Sequence, residues 1–179
     1  MDRKLKDLNK SNVAVIGGGS WATAIVKSLR ANCPNVYWWV RNQESIDFIN
    51  KHRRNPKYLR SIEFFIDKEY VSNDIRKIVS SADIVFFVVP SLFLRQTMKG
   101  LKASDLEGKT IVSAIKGIIP RKNSLISEYF QKSFKVKPDN FIFLTGPSHA
   151  EEVANKRMTI ITLASISGHN TDMVESMLG

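Results

Sequence analysis

Three groupings of residues could do chemistry. Gly17-Gly18-Gly19-Ser20-Trp21-Ala22 has the spacing GxGxxG/A. In that pattern the first glycine permits a tight turn, the second lets the backbone approach a pyrophosphate, and a small third residue lets a helix pack on a strand. Amides at the helix N-terminus then bind the phosphates. The competing reading is a glycine-rich turn with no ligand. Arg41 follows at the end of the next strand, where an acidic residue would hydrogen-bond the adenosine ribose and an arginine can pair with a 2′-phosphate. It favours NADP over NAD unless it is a solvated surface arginine. Arg53 and Arg54 either assist it or form a basic loop.

The second grouping is Ser113-Ala114-Ile115-Lys116-Gly117, which puts the Lys116 ammonium just past a buried strand, able to neutralise a phosphate or polarise a carbonyl. A plain surface lysine is the alternative. In the third, Thr145-Gly146-Pro147-Ser148, the amides and the Ser148 hydroxyl could cup an anion where a strand meets a helix. Ser148 can equally serve as an N-cap with Glu151 in a capping box, and the two roles are compatible. His149 reads as a helix-start residue rather than a base, because no carboxylate or nucleophile is arranged around it. His52 and His169 read as loop residues, Cys33 as a loop thiol, and Trp38 and Trp39 as core and rim of a strand.

The elements that must position these groups follow from periodicity. Asn12–Ile16 is a β-branched apolar run, Ser20–Arg30 has apolar residues at helical spacing, and Val36–Val40 repeats the strand signal, giving a βαβ unit of about 30 residues. Further strands are expected at 84–89, 110–113, 141–145 and 158–164. Helices are expected at 43–51, 74–80, 92–98, 124–130, 148–154 and 171–178, with Gly179 as a C-capping glycine. The segment 64–71 has no clear assignment. Strands that are apolar throughout imply a sheet covered on both faces, so the fold class is α/β, a doubly wound and mostly parallel Rossmann-type sheet.

Composition limits the function classes. The 179 residues suit one domain. The 43% hydrophobic and 25% charged residues are those of a globular chain, which argues against wholesale disorder. A single cysteine excludes an internal disulfide and a multi-cysteine metal site, so no metal is expected. The longest uncharged stretch, 11–26, is too short and too glycine-rich for a membrane span. The first ten residues lack the pattern of a secretory signal, so a cytoplasmic location is expected and the Asn9 sequon has no meaning there. A net charge of +10 suits a phosphorylated small molecule or a polyanion. Its spread along the chain, without a basic stripe interleaved with aromatics, speaks against nucleic acid.

Six motifs in order, GGGSWATA at 17–24, WVRN at 39–42, NPKYL at 55–59, VVPS at 88–91, AIKG at 114–117 and GPSHAEEVA at 146–154, resemble the bacterial NAD(P)-dependent glycerol-3-phosphate dehydrogenases. The resemblance covers nearly the whole chain and corresponds to the N-terminal cofactor domain of that family. It implies reduction of dihydroxyacetone phosphate to sn-glycerol 3-phosphate with NADPH or NADH, feeding glycerophospholipid synthesis. It also implies that Gly17, Gly19, Ser20, Trp21, Arg41, Tyr58, Lys116 and Ala150 contact the cofactor, and that Lys116, Gly146 and Ser148 contact the substrate. The family's proton-accepting lysine and helical C-terminal domain are expected beyond Gly179. This polypeptide alone is therefore expected to bind nucleotide without efficient turnover, and the full-length enzyme could be a homodimer. Ala22 stands where many members carry glycine, a change the fingerprint tolerates. Two alternatives are the cofactor domain of another two-domain dehydrogenase and a non-catalytic NAD(P)-sensing module.

Overall fold

The computed structural model describes residues 11–120 and 123–179. The amino-terminal ten residues and the Asn9 sequon lie outside the described residues. Seven strands, β1 (Val13–Ile16), β2 (Val36–Trp39), β3 (Val71–Ser72), β4 (Ile84–Phe87), β5 (Thr110–Ser113), β6 (Phe141–Thr145) and β7 (Thr162–Ala164), form one sheet in the order β3-β2-β1-β4-β5-β6-β7. β1 to β6 are parallel and β7 runs antiparallel to β6. The helices are α1 (Ser20–Asn32), α2 (Gln43–His52), α3 (Ile75–Ser80), α4 (Ser91–Thr97), α5 (Ile126–Phe134), α6 (Ala150–Ala154) and α7 (Gly168–Leu178).

The expected double winding is present, and its cause is visible in β1. Val13 and Val15 enter one apolar cluster with Trp38, Phe86 and the α1 residues Ile25 and Leu29. Ala14 and Ile16 enter a second cluster with Phe87, Leu94 and Phe130. A strand whose alternate side chains meet two separate cores has no solvent face, which is why its sequence reads as a continuous apolar run. α7 closes the first cluster with Val174 and Met177. Its last carbonyls are held from α1, where Ser28 Oγ donates to Leu178 O at 2.8 Å and Asn32 Nδ2 to Met177 O at 3.1 Å.

Several local expectations change. The strand expected at 158–164 is confined to Thr162–Ala164 and is antiparallel. The five residues of α6 span about 7.5 Å, less than half of the roughly 16 Å of a five-residue strand, so α6 cannot carry the chain back to the amino-terminal edge of the sheet. The next strand therefore starts at the carboxyl edge and runs backwards. The unassigned segment 64–71 has no regular structure at 64–67, then a 3₁₀ turn at Lys68–Tyr70 leading into β3. His52 is the last residue of α2, and the backbone of His169 lies within α7, so neither is in a loop. Cys33 caps α1 with its amide and is 3% exposed, and burial pushes its thiol up to about 11 against the opposing pull of Arg30. No described helix is long and apolar enough to cross a membrane.

Candidate functional site

Strand order reverses between β1 and β4, so the connections leaving their carboxyl ends diverge and open a crevice there, the place where doubly wound sheets hold ligands. The crevice has a volume of 540 Å³. The turn after β1 contributes Gly19, Ser20 and Trp21, the turn after β5 contributes Lys116, and the turn after β6 contributes Gly146, Ser148 and Ala150. Val88, Val89 and Pro90, after β4, form the apolar wall between them. Three groups separated by some 130 positions of sequence are thus brought to one edge by the parallel register. A larger cavity of 590 Å³, between α1, α7 and the α6–β7 connection, lies away from this edge and holds none of the motif glycines of the first turn.

The first turn is shaped by its glycines in different ways. Gly17 has φ +145°, and a Cβ there would run into the backbone carbonyl of Val88. That contact fixes how closely the β1 and β4 turns approach. Gly19, at φ −83°, needs no unusual conformation, and a Cβ on it would meet nothing within 4 Å. Its missing side chain leaves space on the crevice side. Ala22 lies against Gly17, 3.4 Å from where a Cβ would stand, so a small residue is needed at this crossing of helix and strand. The first turn of α1 has no side-chain cap and no acidic residue. Its amides, lacking intrahelical acceptors, and the positive end of its dipole make an uncompensated anion seat.

Lys116 is exposed and no described carboxylate pairs with it. Its turn is set by Ala114 N donating to Phe87 O at 3.0 Å and by Gly117 at φ +88°. Gly146, at φ +127°, is pressed against the returning chain, a Cβ there lying 2.5 Å from Ile160 O. The capping box expected of Ser148 and Glu151 does not form. α6 begins at Ala150 with His149 as an N-cap whose side chain makes no capping bond, so Ser148 lies before the helix and lines the crevice. His149 also lines it, a position its sequence context did not reveal.

Gly17, Arg41 and Tyr58 do not line this crevice. Arg41 is exposed two residues past β2, next to Val40, whose Cγ1 lies 3.3 Å from where a Gly18 Cβ would stand. Its backbone therefore lies beside the glycine turn. Arg53 stacks on Phe65 at 4.7 Å and Arg54 meets Glu63 at 3.9 Å, so each has a local partner. Sequence reasoning gave no role to Asn55, which is 3% exposed and bonded to the glycine turn. An asparagine preceding a proline and followed by amides two and three residues on is an Asx-turn signal that could have drawn attention to it.

Residues 12–171 match the family model described as NAD-dependent glycerol-3-phosphate dehydrogenase N-terminus. The chain is 37% identical over 169 residues to the glycerol-3-phosphate dehydrogenase [NAD(P)+] of an Exiguobacterium species, covering 94% of this chain and 49% of that protein. It spans about half the length of the curated relatives it matches. Among solved structures, the glycerol-3-phosphate dehydrogenase of Plasmodium falciparum superposes with a TM-score of 0.83 at 26% identity, over 99% of this chain and 52% of that one. That of Coxiella burnetii, at 24% identity and a TM-score of 0.83 over 95% of this chain and 51% of that one, shares the fold.

Proposed function

The chain belongs to the NAD-dependent glycerol-3-phosphate dehydrogenase family, and on that premise we propose that it is the cofactor-binding portion of an enzyme that reduces dihydroxyacetone phosphate to sn-glycerol 3-phosphate. The observation that carries the reading is the convergence of Gly19, Ser20, Trp21, Lys116, Gly146, Ser148 and Ala150 on one crevice at the switch point. The open space over Gly19 and the uncapped start of α1 fit a dinucleotide pyrophosphate. When bound, the reduced nicotinamide supplies the hydride for the ketone carbon.

The chain's own part is binding and orientation. Gly17 sets the turn, the amides from Ser20 onward hold the pyrophosphate, and Arg41 pairs with a 2′-phosphate, which favours NADPH over NADH. Tyr58 is an exposed neighbour of the adenosine side. Lys116 reaches from the opposite turn to an anionic substrate, with the Gly146 amide and the Ser148 hydroxyl completing its phosphate seat. Ala150 backs the nicotinamide side. In this reading the proton-transferring lysine is carried by a helical domain that follows the cofactor domain in the family, and the full-length enzyme is a homodimer. Cytoplasmic action in glycerophospholipid synthesis is part of the same reading, which rests on the family.

The test is a fluorescence titration of the chain with NADPH, alongside a steady-state assay with dihydroxyacetone phosphate. Saturable nucleotide binding with negligible turnover is expected. Absent binding would overturn the cofactor assignment, and efficient turnover would overturn the placement of the proton-transferring group.

A further inference from the structure

We propose that Asn55 and Thr23 act as a positioning pair, a clasp that turns the glycine-loop carbonyls away from the crevice and ties the Tyr58 turn to the same loop. The proposal rests on reading the crevice as a dinucleotide site. Three successive carbonyls of the loop each accept a hydrogen bond from a buried side chain. Trp38 Nε1 donates to Gly17 O at 2.6 Å, Asn55 Nδ2 to Gly18 O at 3.1 Å, and Thr23 Oγ1 to Gly19 O at 2.9 Å. The last two are linked, because Asn55 Nδ2 also donates to Thr23 Oγ1 at 2.8 Å. On its other side Asn55 Oδ1 accepts from Lys57 N at 3.0 Å and Tyr58 N at 3.1 Å.

The carboxamide thus uses both donors and both acceptor sites, its full capacity. Its orientation is fixed, since a flipped amide would set oxygen against the Gly18 carbonyl and NH₂ against two N–H groups. Thr23 is fully buried and Asn55 nearly so, and neither they nor Trp38 line the crevice. The Gly17 and Gly18 oxygens, which would repel a phosphate, are therefore held on the core side, Gly19 O is taken by the Thr23 hydroxyl together with the Thr23 amide at 3.0 Å, and the amide side of the loop is left to the anion. Because one side chain bonds both segments, ordering the loop orders residues 57–58 as well.

The test uses Thr23→Val, Thr23→Ser and Asn55→Asp, read by NADPH titration and by hydrogen exchange without ligand. Thr23→Val keeps the shape but removes the hydroxyl, and is expected to weaken NADPH binding by about three- to tenfold, whereas Thr23→Ser, which retains the hydroxyl, stays within about twofold. Asn55→Asp keeps the acceptor but loses both donors. It is expected to speed exchange at Gly17 and Thr23, whose amides donate to Trp39 O and Gly19 O, and at 57–58 together, while Ile111 and Ile142 in the sheet stay protected. Unchanged affinity in Thr23→Val, equal weakening in Thr23→Ser, or faster exchange confined to 57–58 would overturn the clasp. A wild-type chain that binds no dinucleotide would overturn the crevice reading and with it the clasp's role there. That outcome is told apart because exchange at the two segments is read with no ligand present.

Discussion

Gly17 after β1 and Gly146 after β6 both hold positive φ at the carboxyl edge of the sheet and both precede a helix that faces the crevice. The first turn opens a 13-residue helix, and its three carbonyls are bound by buried side chains. The second opens a five-residue helix, and it is shaped by the backbone of Ile160 returning across Gly146. One turn is preorganised by a dedicated hydrogen-bonded shell, the other by chain packing. The difference fits two tasks. In the proposed reading a pyrophosphate would be recognised by backbone amides that must be held in place, and a small phosphorylated substrate by side chains such as Lys116 and Ser148.

Substitutions at the glycines should break this contrast first. Gly17→Ala forces a Cβ into the Val88 carbonyl at a φ that L-residues rarely adopt, so a loss of at least about 2 kcal/mol is expected in thermal or denaturant unfolding. Gly19→Ala separates folding from binding. It should cost under about 1 kcal/mol of stability, since only the preference for glycine over alanine near an N-cap is lost. Its Cβ would enter the space proposed for the pyrophosphate, and NADPH affinity should fall by about 2 kcal/mol or more, roughly thirtyfold. Gly146→Ala is expected to do the reverse, lowering stability while leaving dinucleotide affinity near normal.

At the turn after β5, Lys116→Ala should weaken sn-glycerol 3-phosphate binding to the NADPH-saturated chain by about 1.5–3 kcal/mol, the range for a hydrogen bond to a charged group, as measured by calorimetry. Equal loss of NADPH binding would mean that Lys116 serves both ligands alike. Arg41→Asp is a smaller change because the site is exposed: NADPH affinity should drop about tenfold with NADH affinity kept, read from paired titrations. Unchanged relative affinities would show that Arg41 does not read the 2′-phosphate.

The smallest effect lies away from the crevice. Cys33 keeps its proton in the fold to about pH 11, whereas its unfolded value is 9.0. The folded state therefore binds more protons between those values, and this stabilising contribution is complete below pH 9 and lost as pH rises toward 11. Comparing unfolding of the wild type and Cys33→Ala across that window should show a steeper decline in the wild type.

How much of this was legible in the sequence depended on how local the cause was. The strands β1, β4, β5 and β6 were readable because each is buried on both faces, and the glycine turn because its spacing encodes a backbone requirement. The direction of β7 was not, since it follows from the shortness of α6 rather than from any residue in the strand. The capping box at Ser148 fitted the letters but failed because the helix starts two residues later. Asn55 stayed without a role because its partners, Gly18 and Thr23, are more than 30 positions away and meet it only through the fold.

The most direct measurement is a paired NADPH titration of the wild-type chain and Gly19→Ala, following energy transfer from the crevice tryptophan Trp21, with unfolding curves on both. Saturable binding by the wild type and at least about a thirtyfold loss in the variant, at nearly equal stability, is the expected result. Equal affinity in the two proteins, or no binding by either, would contradict the assignment of the β1 turn as the pyrophosphate seat.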